Sequence, residues 1–206
     1  MSFFDIHTHK QDSVNSSSIL NCTSYITGRN ISVGLHPWDI GEEWENKICE
    51  IKKAASAKNV IAIGECGIDK LKSPADITTQ TEVFLQQALL AEEFMKPLII
   101  HCVKGIDDII AIYKQVNPKQ AWIIHGFRGN KQQAEQLVKC GFHLSLGEHN
   151  NTESAKFIPD NRLFIESDDS KKDIADIYRS IAMAREIPVD ELKLLINKNR
   201  NRIMQF

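Results

Sequence analysis

Short apolar stretches rich in β-branched residues recur along the 206-residue chain. Most of them are continuously apolar, as in VIAIG, PLIIHC and RLFIES. Continuous apolarity is typical of parallel strands buried on both faces, whereas a strand with one wet face alternates apolar and polar residues. The pattern predicts eight strands, at residues 2–7, 19–26, 31–35, 60–65, 97–102, 121–126, 142–147 and 162–167.

Helical periodicity lies between the later strands. Residues 42–57, for example, carry Trp44, Ile48, Ile51 and Ala55 at spacings of three and four, which places them on one helix face. Further helices are predicted at 79–95, 106–116, 131–140, 171–186 and 189–203. Alternating strands and helices indicate a parallel α/β architecture, and eight strands indicate a TIM-like (β/α)8 barrel.

The chain is short for this fold, and the residues that it lacks belong to the connections between the first three strands. Too few residues separate the first strand from the second, or the second from the third, to hold a full helix in a parallel crossover. We therefore expect a shortened barrel with helices 1 and 2 missing or reduced, in a single domain that spans residues 1–206. The flank without helices would be poorly covered, which suggests a homodimer through it.

Composition narrows the class of protein. A net charge of -2 with 42% hydrophobic and 25% charged residues is ordinary for a soluble globular protein, and it predicts no broad basic field for nucleic acid or membrane. The five cysteines are odd in number and form no C-x-x-C pair, which argues against a disulfide framework and points to the cytoplasm. The N-terminus lacks a signal-peptide pattern, and no apolar run approaches the ~18 residues of a membrane span.

Histidines and carboxylates stand where the apolar runs end. Glu65 and Asp69 lie in GECGID, at the end of the fourth predicted strand, and Asp168 follows the eighth. His7 and His9 share one strand face because side chains alternate with period two. The carboxyl ends of barrel strands meet at one rim, so these groups should converge as a divalent metal centre. The five histidines at strand ends, of seven in the chain, are His7, His9, His36, His101 and His125.

Three other residues near these ends receive no ligand role. His143 begins the seventh strand, at the end away from the predicted site, and His149 follows that strand without a recognised partner. Glu166 precedes Asp168 by two residues, so it could share a face with it but lie one layer deeper. A supporting or packing role is expected for Glu166, no functional role for His143, and His149 is expected to be a loop histidine without a role.

Seven motifs in order resemble those of the TatD-type metal-dependent hydrolases, the TatD DNase family of the amidohydrolase superfamily. Six are DIHTH, VGLHPWD, AIGECGID, KPLIIHC, IIHGFRG and FIESDDS, and the seventh is a helix with Gln80, Phe84, Gln87 and Ala91. The resemblance extends from residue 3 to about residue 170. It implies a (β/α)8 barrel, a binuclear metal centre and DNase activity, often exonucleolytic.

The resemblance also implies roles for individual residues. His7 and His9 would hold the first of two divalent ions with Asp168, which would also handle the nucleophilic water. Glu65 would bridge the two ions as the second catalytic carboxylate. The ions are expected to be zinc, manganese or magnesium. The remaining implied ligands, both for the second ion, are His101 and His125.

Substrate contacts are the weaker part of the resemblance. His36 lies in the G-x-H-P motif and would contact substrate, and Lys104 replaces the arginine that the family carries after the strand-five histidine. Arg128 is another cation that could meet a phosphodiester, although Arg128 and Lys104 fit solvated loop charges equally well. Around GID and ESDDS the chain also departs from the family pattern, so the ligands are retained and the substrate surroundings are not.

Three functions follow. The first is a phosphodiesterase, and specifically a deoxyribonuclease, that uses a metal-activated water on DNA or another phosphodiester. The second is a metal-dependent hydrolase of small esters, amides or lactones, which the mild acidity keeps open. The third is an inactive metal-binding scaffold, against which the retention of all six implied ligands argues. A membrane partner is not expected.

Overall fold

A computed structural model describes residues 2–11 and 17–204. Its strands form one sheet in chain order, and the ladders that join five pairs of neighbouring strands are parallel. A β-bridge joins Thr8, on the first strand, to Asp168, just after the last. The strands are β1 Asp5–Thr8, β2 Ser18–Cys22, β3 Ile31–Val33, β4 Val60–Asp69, β5 Leu98–Val103, β6 Trp122–Ile124, β7 His143–Leu146 and β8 Leu163–Ile165. This order, with helices between the later strands, is that of a (β/α)8 barrel, as predicted.

Seven α-helices follow from β3 onward within the described residues. They are α1 Trp44–Ala55, α2 Ile77–Glu93, α3 Ile106–Val116, α4 Lys131–Cys140, α5 Thr152–Phe157, α6 Ile174–Arg185 and α7 Val189–Ile203. Local chemistry sets their ends: Asn130 and Gln133 form a reciprocal capping box at the start of α4, and Gly141 ends it with φ 107°. None of these helices is both long and apolar enough to cross a bilayer.

Six of the seven helices were predicted, and α5 was not. It contains only six residues, TESAKF, which is too short for a 3.6-residue period to stand out. Its start is instead set by Asn151, whose side chain accepts hydrogen bonds from the backbone N–H groups of Glu153 and Ser154. An asparagine outside a periodic apolar pattern is common in a sequence, so by itself it does not predict the start of a helix.

The expected reduction of helix 2 is confirmed. Residues 23–30, between β2 and β3, contain no helix. Asn59 holds this loop in place, because its side-chain amide donates to the carbonyl oxygens of Ile26 and Arg29 at 2.7 and 2.9 Å. The expected reduction of helix 1 falls in the connection between β1 and β2, where residues 12–16 lie outside the described residues.

The packing separates the chain into two compact units. Unit 1 contains the described residues of 1–20 and 123–205, and unit 2 contains those of 21–122. Both boundaries fall inside strands, β2 and β6, rather than in polar linkers. Each unit has its own apolar core.

In unit 1 the core is built on β1, β7 and β8. Phe4, Leu144 and Phe164 are buried there. The buried Tyr178 of α6 donates its hydroxyl hydrogen bond to the carbonyl of Phe4 at 2.7 Å, which ties that helix to the entry of β1. Burial of this kind holds the C-terminal ends of the unit 1 strands in fixed positions.

In unit 2 the core lies between β4, β5 and α2. Phe84 of α2 packs edge-to-face on Trp122, with ring centroids 5.4 Å apart. Lys96 donates from Nζ to the carbonyl oxygens of Ala55 and Val60, and so links the end of α1 to the start of β4. This packing holds in place the residues that follow β3, β4 and β5.

Candidate metal centre

In unit 1, three predicted ligands come together. One ligand atom from each of His7, His125 and Asp168 lies within 4.8 Å of the others. His7 Nε2 is 3.7 Å from Asp168 Oδ1, and the imidazole centroids of His7 and His125 are 4.4 Å apart. The resemblance assigned His125 to a different ion from His7, whereas this geometry places it beside His7 and Asp168.

His9 faces the same carboxylate. Its Nε2 lies 3.5 Å from Asp168 Oδ1, although its side chain is 44% exposed. His7 and His9 therefore meet one oxygen atom from one strand end, which is the pairing that their spacing predicted. We name His7, His9, His125 and Asp168 the unit 1 cluster.

The backbone of Asp168 is locked to β1. Its N–H donates to the carbonyl of His7 at 3.0 Å, and its carbonyl accepts from the N–H of His9 at 3.2 Å. Asp168 has φ 49°, a left-handed conformation that costs a non-glycine residue about 1–2 kcal/mol. The two hydrogen bonds offset this cost and aim the carboxylate at the histidines.

Asp5 stabilises the segment that carries Asp168. Its carboxylate accepts hydrogen bonds from Ser167 N–H at 3.0 Å and from Ser167 Oγ at 2.7 Å, so it fixes the residue before Asp168. Burial raises the pKa of Asp5 to about 7, against these hydrogen bonds, which lower it. Asp5 thus connects β1 to the segment that carries Asp168.

Glu166 is fully buried and supports His125. Its Oε1 accepts from Gly126 N–H at 2.6 Å and lies 3.5 Å from His125 Nδ1. Burial by itself would raise the pKa of Glu166, but the neighbouring His125 and His7 outweigh burial and hold that pKa below its ordinary value. The ionised carboxylate thus lies against one ring nitrogen of His125 and restrains the orientation of the ring.

In unit 2, a second cluster surrounds Glu65. Ligand atoms of His36, Glu65 and His101 lie within 4.8 Å of one another. His36 Nε2 is 3.1 Å and His101 Nδ1 is 2.9 Å from the same oxygen, Glu65 Oε1. Glu65 and His101 were predicted ligands and His36 a predicted substrate contact, so the structure places His36 as close to the carboxylate as His101. We name these three residues the unit 2 cluster.

Asp69, which the sequence analysis placed at the end of the fourth strand without a ligand role, lies beside the unit 2 cluster. Its Oδ2 lies 3.2 Å from His101 Nε2 and accepts from Trp38 Nε1 at 2.6 Å. Burial works to raise the pKa of Asp69, but hydrogen bonds from Trp38, the Leu71 and Lys72 backbone and His101 hold it below its ordinary value. Positions 65 and 69 share a strand face because β4 continues to Asp69, and this continuation, which the prediction lacked, brings Asp69 to His101.

Glycine allows β4 to continue past Glu65. Gly67 has φ 146°, and a Cβ there would lie 2.0 Å from the carbonyl oxygen of His101, with which it pairs in register. Only glycine combines this conformation with so close an approach. The prediction ended the strand at residue 65, because a glycine pair usually interrupts a strand pattern.

Two buried glutamines of α2 tie the strand ends together. Gln80 Oε1 accepts from Asp69 N–H at 2.9 Å. Gln87 accepts from Leu35 N–H at 2.7 Å and donates to the Leu35 carbonyl at 3.1 Å. These contacts give the glutamine positions of the helix motif a physical purpose, because they satisfy backbone groups beside Asp69 and His36.

The remaining predicted site residues lie on the surface. Arg128 is exposed and lines a small pocket with Asp168 and with His149, the histidine to which the sequence analysis gave no role. Lys104 is exposed directly after β5, with φ 57°. Their substrate roles stay predictions.

The donor atoms of both clusters fit a divalent cation. Each cluster offers imidazole nitrogens and a carboxylate in reach of one another. Mixed nitrogen and oxygen donors suit zinc, manganese or iron, whereas magnesium prefers oxygen ligands alone. We therefore infer that a transition metal fits these residues better than magnesium does.

Comparison of the sequence with a family model and with known relatives gives one family. The family model described as TatD related DNase matches residues 6–205. An uncharacterised metal-dependent hydrolase of Bacillus subtilis, YabD, is 30% identical over 198 residues, which cover 85% of this chain and 77% of that protein. The 3'-5' ssDNA/RNA exonuclease TatD of Erwinia tasmaniensis is 28% identical over 66% of this chain and 56% of its own length. The crystal structure of YJJV, a TatD homologue of Escherichia coli K12, matches with TM-score 0.85 and 19% identity over 98% of this chain and 97% of that one, and it supports the fold.

Proposed function

Since the chain belongs to the family of TatD-related DNases, a family of metal-dependent hydrolases, we propose that it hydrolyses phosphodiesters and is a deoxyribonuclease. The observation that carries this proposal is that all six implied ligands lie in clusters of imidazoles and carboxylates. A protein that had lost catalytic activity would not be expected to retain all six of these side chains in such clusters. The nuclease names of relatives such as that of Erwinia tasmaniensis support the substrate class.

We propose that each cluster holds one divalent ion. His7, His9, His125 and Asp168 would bind the first, and His36, Glu65 and His101 the second. When bound, such ions supply Lewis acidity, which polarises a phosphoryl or carbonyl oxygen and makes a water molecule more acidic. The resemblance instead implies that Glu65 bridges the ions and that His125 binds the second one, and neither of these two roles is part of our proposal.

Asp168 is the proposed proton acceptor. Its side chain is 23% exposed, whereas Glu65 is buried with 3% exposure. A general base must reach both the water and the solvent to which the proton eventually passes. The locked backbone of Asp168 keeps the carboxylate in position, and Glu65 lies between His36 and His101, where it is better placed to bind than to exchange protons.

Local negative charge supports a second candidate function, the hydrolysis of a small ester, amide or lactone. The small pocket beside Asp168 also contains Glu148 and Asp169, and the chain carries a net charge of -2. Negative groups repel a polyanion and favour a small, neutral ester, amide or lactone. Arg128, at the edge of the same pocket, is the cation that would have to offset them in a nuclease.

Substrate assays separate these candidates. Purified protein is analysed for bound metal and then tested with single-stranded oligonucleotide and with p-nitrophenyl ester, each with magnesium, manganese and zinc. We expect oligonucleotide turnover that falls steeply with added salt, because phosphate contacts release counterions, and that is lost in Asp168→Asn. Ester turnover that is insensitive to salt would favour the small substrate, and protein that binds metal but turns over neither substrate would favour the scaffold.

We also propose the cytoplasm as the location. All five cysteines, which lie within the described residues, are free thiols. Free thiols persist in a reducing compartment. Fractionation of cells that express a tagged full-length chain checks this, and recovery in an oxidising compartment would contradict it.

A further inference from the structure

We propose that Trp38 is a stacking platform for a nucleobase of single-stranded nucleic acid, beside the phosphodiester that is cut. This inference rests on the proposed function and extends it to the way substrate is held. Trp38 is 45% exposed, yet its ring centroid lies 4.7 Å from that of His36 and 5.8 Å from that of His101. A large aromatic surface thus stands open to solvent directly beside the unit 2 cluster.

The indole is held rigidly although it is exposed. Its Nε1 donates to Asp69 at 2.6 Å, and its backbone N–H donates to His36 Nδ1 at 3.1 Å. The short 3-10 helix Pro37–Asp39 that carries it is tied down by Ser73 Oγ, which donates to the Pro37 carbonyl at 2.7 Å. A ring that is already immobilised loses little conformational entropy when a ligand stacks on it, so binding is stronger than on a mobile side chain.

Lys72 covers one face of this ring and supplies a cation. Its Nζ lies 4.6 Å from the indole centroid. A cation over an exposed aromatic face is held more weakly than a stacked base. A nucleobase would therefore displace the ammonium group, and the lysine could then pair with a phosphate of the same strand.

This geometry favours unpaired bases. A base stacked within a duplex has no free face, and its removal from the stack costs energy. A single strand offers its bases without that cost, and sequence-tolerant stacking on aromatic side chains is a usual way to hold it. A small aliphatic ester would gain nothing from Trp38, so the residue also discriminates between the two candidate functions.

The test is an abasic scan. A single abasic nucleotide is moved along an oligothymidylate, and kcat/KM is measured for metal-loaded wild type, Trp38→Leu and Trp38→Phe. In wild type we expect one position at which loss of the base lowers kcat/KM by roughly 5- to 150-fold, mainly through KM. Trp38→Leu should abolish this penalty, and Trp38→Phe should keep most of it.

The ratio of kcat/KM for the intact oligonucleotide to kcat/KM for the abasic one separates stacking from the hydrogen bond that Trp38 donates to Asp69. Trp38→Leu and Trp38→Phe both remove the bond to Asp69, so both lower turnover of every oligonucleotide to a similar extent. Only stacking predicts that they differ in the abasic penalty. Trp44→Leu, at the half-buried tryptophan that begins α1, is the matched control and should keep the wild-type penalty.

Binding separates failure of the inference from failure of the proposed function. Fluorescence anisotropy with phosphorothioate oligonucleotides, which resist hydrolysis, gives the same base-to-abasic comparison on metal-loaded protein without turnover. Absence of hydrolysis together with a Trp38-dependent base preference would overturn the nuclease function and keep the stacking site. An equal penalty in wild type and Trp38→Leu, or no binding at all, would overturn the stacking site.

Discussion

The carboxylates at the two clusters lie in unlike surroundings, and this decides what each can do. Glu166 is fully buried between Gly126 and His125 and can only orient its neighbour. Glu65 is buried but meets two imidazoles through one oxygen. Asp168 remains partly open to solvent. Because burial and partners differ, we propose that Glu166 supports, Glu65 binds the ion and Asp168 accepts the proton.

His125→Ala tests the unit 1 cluster. We expect loss of bound metal and a fall in kcat of at least about 100-fold, because changes to residues that merely orient a ligand already cost 10–100-fold. Metal analysis and oligonucleotide turnover measure the two effects, with circular dichroism as the check on folding. His143→Gln, at a buried histidine that begins β7, should retain its metal. Wild-type turnover in His125→Ala would show that the ligand assignment is wrong.

Asp69→Asn tests the carboxylate to which the sequence analysis gave no ligand role. The substitution keeps the shape but removes the charge beside His101 Nε2, so metal affinity should fall about 10- to 100-fold while the protein stays folded. Competition with a chelator of known affinity measures this. The matched control is Asp39→Asn, an exposed aspartate on the same 3-10 helix as Trp38. Equal affinities in the two variants would mean that Asp69 only stabilises the loop.

At the scale of elements, the functional residues depend on how far a strand runs and what its ends contact. β4 continues for ten residues, Val60–Asp69, and so carries both Glu65 and Asp69. α2 reaches the ends of β3 and β4 through Gln87 and Gln80. The helix therefore does more than cover the sheet, because its glutamines fix the backbone on which both His36 and Asp69 depend.

Gly67→Ala tests the close approach of β4 to β5. The added Cβ would lie 2.0 Å from the His101 carbonyl oxygen, so the strands must separate, in addition to the conformational cost of a positive φ. We expect a loss of more than about 3 kcal/mol in the free energy of unfolding, measured by urea denaturation. Gly41→Ala, where an added Cβ meets nothing within 4 Å, should change it by less than about 0.5 kcal/mol. Similar values for both variants would contradict this account.

At the scale of the whole molecule, we propose that residues 1–206 form a single domain. The boundaries between the two units fall inside β2 and β6, whereas domain boundaries normally lie in exposed linkers. Thermal unfolding should therefore give one transition with coincident midpoints by circular dichroism and by tryptophan fluorescence. Two separated transitions would indicate two independent domains.

The proposed homodimer belongs to the same scale. A cavity of about 510 Å³ in unit 2 lies where helix 2 is missing, and Tyr25, Val33, Ile51, Glu50 and Lys53 are among its lining residues. In a two-fold dimer Glu50 of one copy can face Lys53 of the other. Light scattering should give twice the mass of the chain, and Tyr25→Asp should shift it towards the monomer. A monomeric wild type would contradict the proposal.

The sequence alone was enough to predict the order of strands and helices, the reduction of helix 2 and the histidines and carboxylates at the strand ends, whose role as metal ligands stays a prediction. Each follows from local properties: an apolar run marks a buried strand, and a histidine at its end marks the position where barrel loops meet. Only the tertiary structure decided that β4 continues to Asp69, that His36 and His101 share one oxygen of Glu65, and that His125 stands beside His7. These depend on register and side-chain direction between segments far apart in the chain, which no local pattern contains.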